Sequence, residues 1–340
     1  MSISSSHVPA EPGLSIVVPV FNEGRGLPQF HARLTETTRR LRQQRGLICE
    51  VIYVDDGSTD DTYAVARALS AAAVDVQVVS LSRNFGNEAA LLAGLDHARL
   101  GGVLFMDGDG QHPPDLIETL VARWLDDRFD VVFTAKAHRE NESLARRLSA
   151  WVFYELINWG ARHKIPVDAG DFRLLSPRAA EALRRLPERN RFFKGLASWI
   201  GFRQVRIDYQ PAERRYGITR WNFSSLLGLS IEGLTSFSLA PLRIAGLLGL
   251  LLAASALVFG VIILFETFFY GASVAGYPSL IVGMMVLGGV QLIMIGVLGE
   301  YIGKVLSEIK GRPAYFVAER SLKTAQGEAS PVTPPRVAAE

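Results

Sequence analysis

The chain has 340 residues, of which 49% are hydrophobic and 21% charged, and 36 basic residues balance 34 acidic ones. This length fits one large domain with an appendage, and the apolar fraction excludes a disordered chain. A net charge of +2 gives no global attraction for nucleic acid. The single cysteine, Cys49, excludes an intramolecular disulfide framework and a cysteine-rich zinc site.

Short apolar runs alternate with helical patterns in the first third of the chain. Strands are predicted over Leu14–Val20, Glu50–Val54, Val76–Leu81 and Val103–Met106, and helices over Leu27–Gln44, Thr62–Ala73 and Asn87–Arg99. This order is typical of a parallel sheet that carries helices on both faces. Because ligands of such sheets bind beyond the carboxyl ends of the strands, chemistry is expected there.

Acidic segments follow three of these four strands. They are PVFNE at 19–23, DDGSTDDT at 55–62 and DGDGQHPP at 107–114. Taken singly, each also fits a turn or a helix N-cap. Because all three should meet at one edge of the sheet, together they indicate a site.

The spacing of the acidic residues favours a hard divalent cation. Two aspartates at i and i+2 can hold Mg²⁺ or Mn²⁺, which keep positions open for substrate phosphates and stabilise a departing diphosphate. No GxGxxG follows the first strand, and no GxxxxGK[ST] occurs in the chain. The residues therefore favour a metal-assisted site for a nucleotide diphosphate.

Two long apolar stretches lie in the last third of the chain. Ile244–Phe265 carries no charged residue, and at about 1.5 Å per residue it reaches about 33 Å, enough for a hydrocarbon core of about 30 Å. A second charge-free run extends from Thr267 to Gly299 and is densest over Leu280–Leu298. We predict a membrane hairpin with spans at about 244–265 and 279–299, in preference to two buried core helices.

Basic residues flank the hairpin and are missing from its connecting loop. Those before it are Arg214, Arg215, Arg220 and Arg243, and those after it are Lys304, Lys310 and Arg312. The positive-inside rule therefore predicts a cytoplasmic N-terminal region and a cytoplasmic tail. No signal peptide is expected, because the first dozen residues are polar.

The motifs resemble those of a known family. PVFNE (19–23), VDDGSTDDT (54–62), SRNFGNEAALLAGLDHA (82–98), MDGDGQHPPD (106–115) and GDFRLLSPR (170–178) are similar to the motif series of family 2 inverting glycosyltransferases with a GT-A fold. The subgroup that makes polyprenyl-phosphate sugars, with dolichyl-phosphate mannosyltransferases and bactoprenol glucosyltransferases, is most similar. The resemblance covers residues 14–225 and implies an α/β domain with a mostly parallel sheet, followed by interfacial helices and the hairpin.

The resemblance also implies roles for single residues. Those expected to bind the nucleotide sugar are Pro19, Phe21, Glu23, Asp55, Asp56, Arg83, Asn84 and Asp107. Those expected to form the metal site are Asp107, Asp109 and Gln111. Those expected to close over the acceptor phosphate are Arg215, Tyr216, Thr219, Arg220 and Trp221. The expected catalytic residues are Asp109 and Asp171, with Asp171 a candidate base near the acceptor.

Two departures from the family pattern matter. Gly108 and Gly110 replace the bulkier residues of a DADLQ-type motif, which predicts a looser metal loop. The QxxRW signature of processive polysaccharide synthases is missing, because Gly217 stands where glutamine is required before Arg220. Of the six histidines, only His112 is given a role, that of lining the site.

A polyprenyl phosphate stays in the bilayer, so its enzyme must work at the membrane surface. Leu144–Trp159 and Phe223–Phe237 suit interfacial helices, although the same pattern fits helices packed on the domain core. The arginines Arg214, Arg215 and Arg220 could hold the acceptor phosphate or serve only the topology.

The expected activity is metal-dependent inverting transfer of a hexose, first of all from UDP-glucose, to undecaprenyl phosphate or a related polyprenyl phosphate at the cytoplasmic membrane face. Two alternatives stay open: transfer to an acceptor other than a lipid phosphate, and a non-catalytic scaffold that binds nucleotide sugars. The expected partners are a nucleoside-diphosphate sugar, a polyprenyl phosphate and the bilayer, without nucleic acid. Small residues such as Gly246 and Gly249 leave a homo-oligomer open.

The expected domain order has five parts. They are a flexible N-terminus (1–13), the GT-A domain (14–221), a juxtamembrane amphipathic segment (222–243), two spans within 244–299, and a cytoplasmic tail (300–340). We expect the tail to be disordered from Arg312 onward.

Overall fold

The computed structural model describes residues 11–136, 169–186, 188, 193–210, 240–270, 276–325 and 329–331. The chain divides into two compact units. The first holds the sheet, the helices packed on it and a segment from the C-terminal end of the chain. The second holds two long apolar helices.

The described strands of the first unit form one sheet in the order β7-β5-β6-β4-β1-β2-β3-β8-β9. They are β1 (Glu11–Val20), β2 (Cys49–Asp55), β3 (Asp75–Leu81), β4 (Leu100–Phe105), β5 (Val131–Lys136), β6 (Ala169–Leu175), β7 (Gln204–Tyr209), β8 (Val317–Lys323) and β9 (Ala329–Pro331). Strands β1 to β4 are mutually parallel, and β5 is parallel to β7. Strands β6 and β8 run against their neighbours. The prediction of a mostly parallel sheet is confirmed.

Helices cover both faces of this sheet. They are α1 (Leu27–Arg45), α2 (Thr62–Ala68), α3 (Asn87–His97), α4 (Leu116–Leu125), α5 (Pro177–Arg184) and α6 (Phe193–Trp199). Helices α1, α2 and α4 share one apolar cluster with the sheet, while α3 packs on the other face of β1 and β2. The connections between β1, β2 and β3 are single helices, as in right-handed βαβ units.

The core explains why β1 reads as a continuous apolar run. Leu14, Ile16 and Val18 point into the cluster below α1, and Val17 points to α3. A Cβ at Gly94 of α3 would collide with the Val17 side chain, so the glycine lets this helix lie close to the strand. Burial of each such aliphatic side chain stabilises the fold by about 1.5–3 kcal/mol.

Four predicted strands and three predicted helices are found, with small shifts of their ends. Helix α2 ends at Ala68 and not at Ala73, because Leu69 leaves the helical conformation with ψ 145°, and the chain continues into β3 from Asp75. The prediction of disorder from Arg312 onward is wrong for residues 317–323, which form β8 along the edge of β3. Pairing with β3 provides the hydrogen bonds that this polar segment lacks by itself.

The second unit contains α7 (Ala240–Tyr270) and α8 (Tyr277–Lys310), which contact each other. Ile244–Ile262 and Gly283–Lys310 are long and apolar enough to cross a membrane, and neither stretch is buried in the protein. This exposure opposes the alternative of two core helices and agrees with a hairpin. The segments Leu144–Trp159 and Phe223–Phe237 lie outside the described residues.

Candidate active site

The predicted site residues gather at one edge of the sheet. Strands β1, β2, β3 and β4 all end at this edge, because they are parallel. Strand β6 begins there, because it runs against β4, and β7 ends there beside β5. The crevice between β1 and β4, where the strand order reverses, lies at the middle of this edge.

The turn after β1 is tied to the loop after β2. Asn22 adopts a left-handed backbone conformation with φ +57°, which asparagine tolerates better than most residues. Its N–H donates to Ser58 Oγ at 3.0 Å, and its Oδ1 accepts from the N–H of Thr59 at 2.9 Å. The N–H of Glu23 donates to Thr62 Oγ1 at 2.8 Å. These bonds hold PVFNE against DGSTDDT.

Asp55 and Asp56 are both buried and already hold protein groups. Asp55 accepts from the Ser58 N–H at 3.1 Å and from Ser80 Oγ at 3.0 Å. Asp56 accepts from the N–H groups of Phe85 at 2.7 Å and Gly86 at 2.9 Å. Burial raises the pKa of Asp56, while these two bonds act in the opposite direction. A ligand contact to either carboxylate would use a remaining lone pair.

Residues 82–86 form a loop after β3, which we call the donor loop because Arg83 and Asn84 are predicted to bind the nucleotide sugar. Gly57 lies against it with φ +67°, and a Cβ there would collide with the backbone of Arg83 and stand 2.6 Å from the Asn84 nitrogen. Only glycine permits both this conformation and this close approach. The Arg83 guanidinium lies over the Phe85 ring, 4.0 Å from its centroid, and Arg83 and Asn84 are exposed.

The loop after β4 is organised by its own side chains. The Asp107 N–H donates to His112 Nδ1 at 3.0 Å, so this nitrogen carries a lone pair and the imidazole is neutral. Asp109 accepts from the backbone N–H and the side-chain Nε2 of Gln111, both at 2.9 Å. The buried His112 ring stacks on Phe172, with centroids 4.9 Å apart. His112 therefore supports Asp107 through this hydrogen bond, and its role in lining the site stays a prediction.

Asp171 reaches the same place from β6. Phe105 pairs with Arg173, and continuing this antiparallel register by two residues sets Asp171 opposite Asp107. The buried Arg173 donates to the carbonyl oxygens of Gly170 at 2.9 Å and Phe193 at 3.2 Å, which holds the start of β6.

Tyr209, the last residue of β7, reports the charge at this edge. Burial and the negative charges of Asp107, Asp109 and Asp171 together raise the pKa of Tyr209 to about 12. The three carboxylates therefore act on one buried phenol. Its ring meets those of His112 and Phe172 edge-on, at 6.0 and 6.3 Å between centroids.

The prediction of a looser metal loop is wrong at Gly108. This residue is buried, and a Cβ on it would lie 2.9 Å from Glu23 Oε2 and 3.1 Å from Val20 Cγ1. Gly108 thus lets the loop after β4 approach the Glu23 carboxylate. Gly110 has φ +77° with open space around it, so its role is conformational.

The structure brings most of the predicted site residues together at this edge. Pro19 is a buried residue of β1 paired with Val54, and Phe21 is half-buried in the following turn. The predicted acceptor residues lie outside the described residues; they are Arg215, Tyr216, Thr219, Arg220 and Trp221.

Sequence reasoning missed Ser58, Ser80 and Tyr209 as members of this edge. Ser58 stood within a recognised motif, so its position beside two aspartates was a usable signal. Ser80 and Tyr209 carried none, because only the strand register shows which edge they approach.

The chain is similar to known proteins over nearly all of its length. Residues 15–184 match the family model described as glycosyl transferase family 2. An SfII prophage-derived bactoprenol glucosyl transferase of Shigella flexneri is 41% identical over 304 residues, covering 89% of this chain and 97% of that protein. A prophage bactoprenol glucosyl transferase homolog of Escherichia coli K12 is 40% identical, covering 89% and 98%. An uncharacterized glycosyltransferase of Synechocystis is 39% identical, covering 90% and 95%.

Proposed function

We propose that this chain, which belongs to glycosyl transferase family 2, transfers a hexose from a nucleoside-diphosphate sugar to a polyprenyl phosphate, with inversion at the anomeric carbon. UDP-glucose and undecaprenyl phosphate are the first candidates, in line with relatives named for bactoprenol glucosyl transfer. The observation that carries the proposal is the convergence of three carboxylates, Asp107, Asp109 and Asp171, at one sheet edge. The two apolar helices support a lipid-borne acceptor.

The donor nucleotide is proposed to bind along the ends of β1, β2 and β3. The residues assigned to it are Pro19, Phe21, Glu23, Asp55, Asp56, Arg83, Asn84 and Asp107. The internal hydrogen bonds of Asp55 and Asp56 favour a role in shaping the pocket as well as in contacting the ribose. Arg83 and Asn84 are exposed on the donor loop, where they can face a ligand. Their position relative to that ligand depends on the position of the loop.

The donor set of the loop after β4 fits a divalent cation. Asp107, Asp109 and the amide oxygen of Gln111 are hard oxygen ligands at alternate positions, which suits Mg²⁺ or Mn²⁺. No group of three His, Cys, Asp or Glu side chains that could hold a metal occurs in the described ranges, so donor phosphates would complete the coordination. When bound, the ion would neutralise charge on the departing diphosphate.

The proposed reaction needs little proton transfer. A phosphate monoester has its second pKa near about 6 and is largely dianionic at neutral pH. Its oxygen attacks the anomeric carbon, the bond from that carbon to the donor diphosphate breaks, and the nucleoside diphosphate leaves. Asp171 is therefore proposed to orient the acceptor or the sugar hydroxyls. Arg215, Tyr216, Thr219, Arg220 and Trp221 are proposed to hold the acceptor phosphate.

The sheet domain and both outer ends of the hairpin are proposed to lie on the cytoplasmic side. The flanking arginines and lysines support this orientation. The pairing of β8 with β3 supports, independently of these charges, that the sheet and the end of α8 lie on the same side. A strand that follows α8 can join this sheet only if the chain leaves α8 on the side of the membrane that holds the sheet.

The test is transfer of labelled sugar by the purified full-length protein. We expect radiolabelled UDP-glucose and a short-chain polyprenyl phosphate, with Mn²⁺ or Mg²⁺, to yield an organic-extractable product whose sugar is released by mild acid. Asp109→Asn should lower turnover by about 100-fold or more, because weaker binding of the cation would leave the negative charge on the departing diphosphate without stabilisation. Asp171→Asn should retain part of the activity. Asp115→Asn is the matched control, since Asp115 is exposed and pairs with Arg40.

Other results would contradict the proposal in distinguishable ways. Labelled sugar in water-soluble saccharide, with none in the lipid extract, would favour a different acceptor. Binding of nucleotide sugars without transfer under any metal would favour a scaffold. Full activity of Asp109→Asn in the presence of a chelator would refute the metal assignment.

A further inference from the structure

We propose that the segment Pro313–Lys323, here called the C-terminal strap, positions the donor loop and so sets the affinity for the donor nucleotide. This inference rests on the proposed function, because it assumes that Arg83 and Asn84 face the nucleotide. It assigns a positioning role to Phe316, which lies between α8 and β8. The strap belongs to the same compact unit as the sheet.

The strap contacts the donor loop in two ways. The N–H of Ser82 donates to the carbonyl oxygen of Phe316 at 2.9 Å. The rings of Phe316 and Phe85 pack at a tilt, with centroids 6.3 Å apart. Since the Arg83 guanidinium lies over Phe85, the strap supports the ring on which this arginine rests.

The opposite side of the donor loop is held by Asp56. Its carboxylate accepts from the N–H groups of Phe85 and Gly86, and Gly57 fits closely against Arg83 and Asn84. The loop is thus held on one side by residues after β2 and on the other by Phe316. Loss of either support should let Arg83 and Asn84 move.

The position of Phe316 does not depend on the donor loop. Strand β8 pairs with β3 from Val76–Lys323 to Leu81–Val317. Tyr315 donates its hydroxyl to Asp96 at 2.8 Å, and the Tyr63 hydroxyl donates to Glu319 at 2.6 Å. Arg320 donates to the Gln77 side chain at 2.6 Å. These bonds fix the strap on β3, α2 and α3, so that Phe316 is a stable support.

The consequence is that the nucleotide site depends on residues that follow both apolar helices. The strap begins three residues after α8 ends at Lys310. A shortened chain that stops before α7 keeps every motif residue of the donor site but loses the strap. We expect such a chain to bind the donor poorly.

The test compares Phe316→Ala with Tyr315→Phe in the full-length, detergent-solubilised protein. Phe316 is half-exposed, so its loss should leave the fold intact, and Phe316→Leu offers a milder change. In Phe316→Ala we expect the Kd for UDP and the KM for the donor to rise about threefold to tenfold, the range expected for loss of an aromatic pair, with kcat within about twofold. Tyr315→Phe should change neither, because the pairing of β8 with β3 still holds Phe316 in place when this one bond to α3 is lost.

Hydrogen exchange gives a readout that needs no ligand. The amides of Phe85 and Gly86 should exchange faster in Phe316→Ala, because their bonds to Asp56 open when the loop moves. In Tyr315→Phe their exchange rates should stay unchanged. Unchanged exchange and an unchanged Kd for UDP in Phe316→Ala would overturn the inference. If the unaltered protein binds neither UDP nor GDP, the proposed function fails, whereas the exchange result still reports on the strap.

Discussion

Gly57 shows how a single residue can set the distance between two loops of the site. Gly57→Ala should lower stability by about 1–2 kcal/mol through its left-handed backbone and by roughly 1–3 kcal/mol more through collision with Arg83 and Asn84. The donor KM should rise, because the donor loop is pushed away. Thermal unfolding and donor kinetics measure the two effects.

Gly46 provides a matched control for this prediction. It has φ +64° at the end of α1, with no atom near the place of a Cβ. Gly46→Ala should therefore lower stability only through its left-handed backbone conformation, and it should leave the donor KM unchanged. If Gly57→Ala and Gly46→Ala lost the same amount of stability, the added methyl group at position 57 would not collide with the donor loop, and the prediction would be wrong.

His112 supports Asp107 through one hydrogen bond, and its removal can be separated from loss of the ring. His112→Phe keeps a ring on Phe172 but leaves the Asp107 N–H without its acceptor. Such a loss costs about 1–3 kcal/mol of stability, and we expect kcat/KM to fall because Asp107 is held less firmly. His112→Asn, which keeps an acceptor, should lose less. The reverse order in steady-state assays would show that stacking matters more than the bond.

The identity of the acidic residues could be predicted from sequence, whereas their bonds could not. Asp107, Asp109 and Asp171 meet at one edge because strand polarity dictates it. Three of the four protein donors on Asp55 and Asp56, from Ser80, Phe85 and Gly86, lie 25 to 30 positions away, and no local pattern marks them. Gly108 was misjudged for the same reason, because its neighbour Glu23 is distant in sequence.

At the level of elements, α1 is fastened to β2 by a neutral histidine. His31 Nε2 lies 2.9 Å from the carbonyl oxygen of Ser70, which can only accept, so this nitrogen carries the proton. Nδ1 then accepts from the Tyr53 hydroxyl at 3.0 Å. Burial lowers the pKa of His31 below its ordinary value of 6.5.

This arrangement predicts an acid-sensitive fold. Above pH 6.5 both the folded and unfolded states hold His31 neutral, and its contribution to stability is complete. As the pH falls from 6.5 towards the lower pKa of the folded state, the unfolded state binds a proton that the folded state does not. The free energy of unfolding therefore drops over this pH range. Denaturant unfolding of the full-length protein between pH 7 and 5 should show this slope. His31→Gln should flatten it in part, because burial also lowers the pKa of His97.

The contrast between β1 and β8 explains which elements were predictable. Strand β1 is buried on both faces, so its composition alone marks it. Strand β8 reads VAERSLK and is half-exposed between β3 and the short β9, so its pairing with β3 is a long-range event with no local signature. The apolar helices were recognised from missing charges, but α8 continues to Lys310, past the span expected to end at 299, because helix formation tolerates the charged residues that membrane burial excludes.

For the whole molecule, the hairpin predicts that the turn between its helices and the end of α8 lie on opposite sides of the membrane. Membrane topology can be tested by labelling introduced cysteines with a maleimide. The native Cys49 should react little with this reagent, because burial raises the pKa of its thiol to about 12. We expect an impermeant maleimide to label Gly276→Cys, between the helices, in intact cells. Lys310→Cys, at the end of α8, should be labelled only after the membrane is opened. The reverse pattern would place the sheet domain outside the cytoplasm.

Strand β8 also imposes an order on biosynthesis. Because it emerges from the ribosome roughly 240 residues after β3, the edge of β3 stays uncovered for on the order of 10–50 s at translation rates of about 5–20 residues per second. Uncovered edges invite pairing with foreign strands. The edge of β3 therefore stays unpaired through the whole period in which α7 and α8 are made.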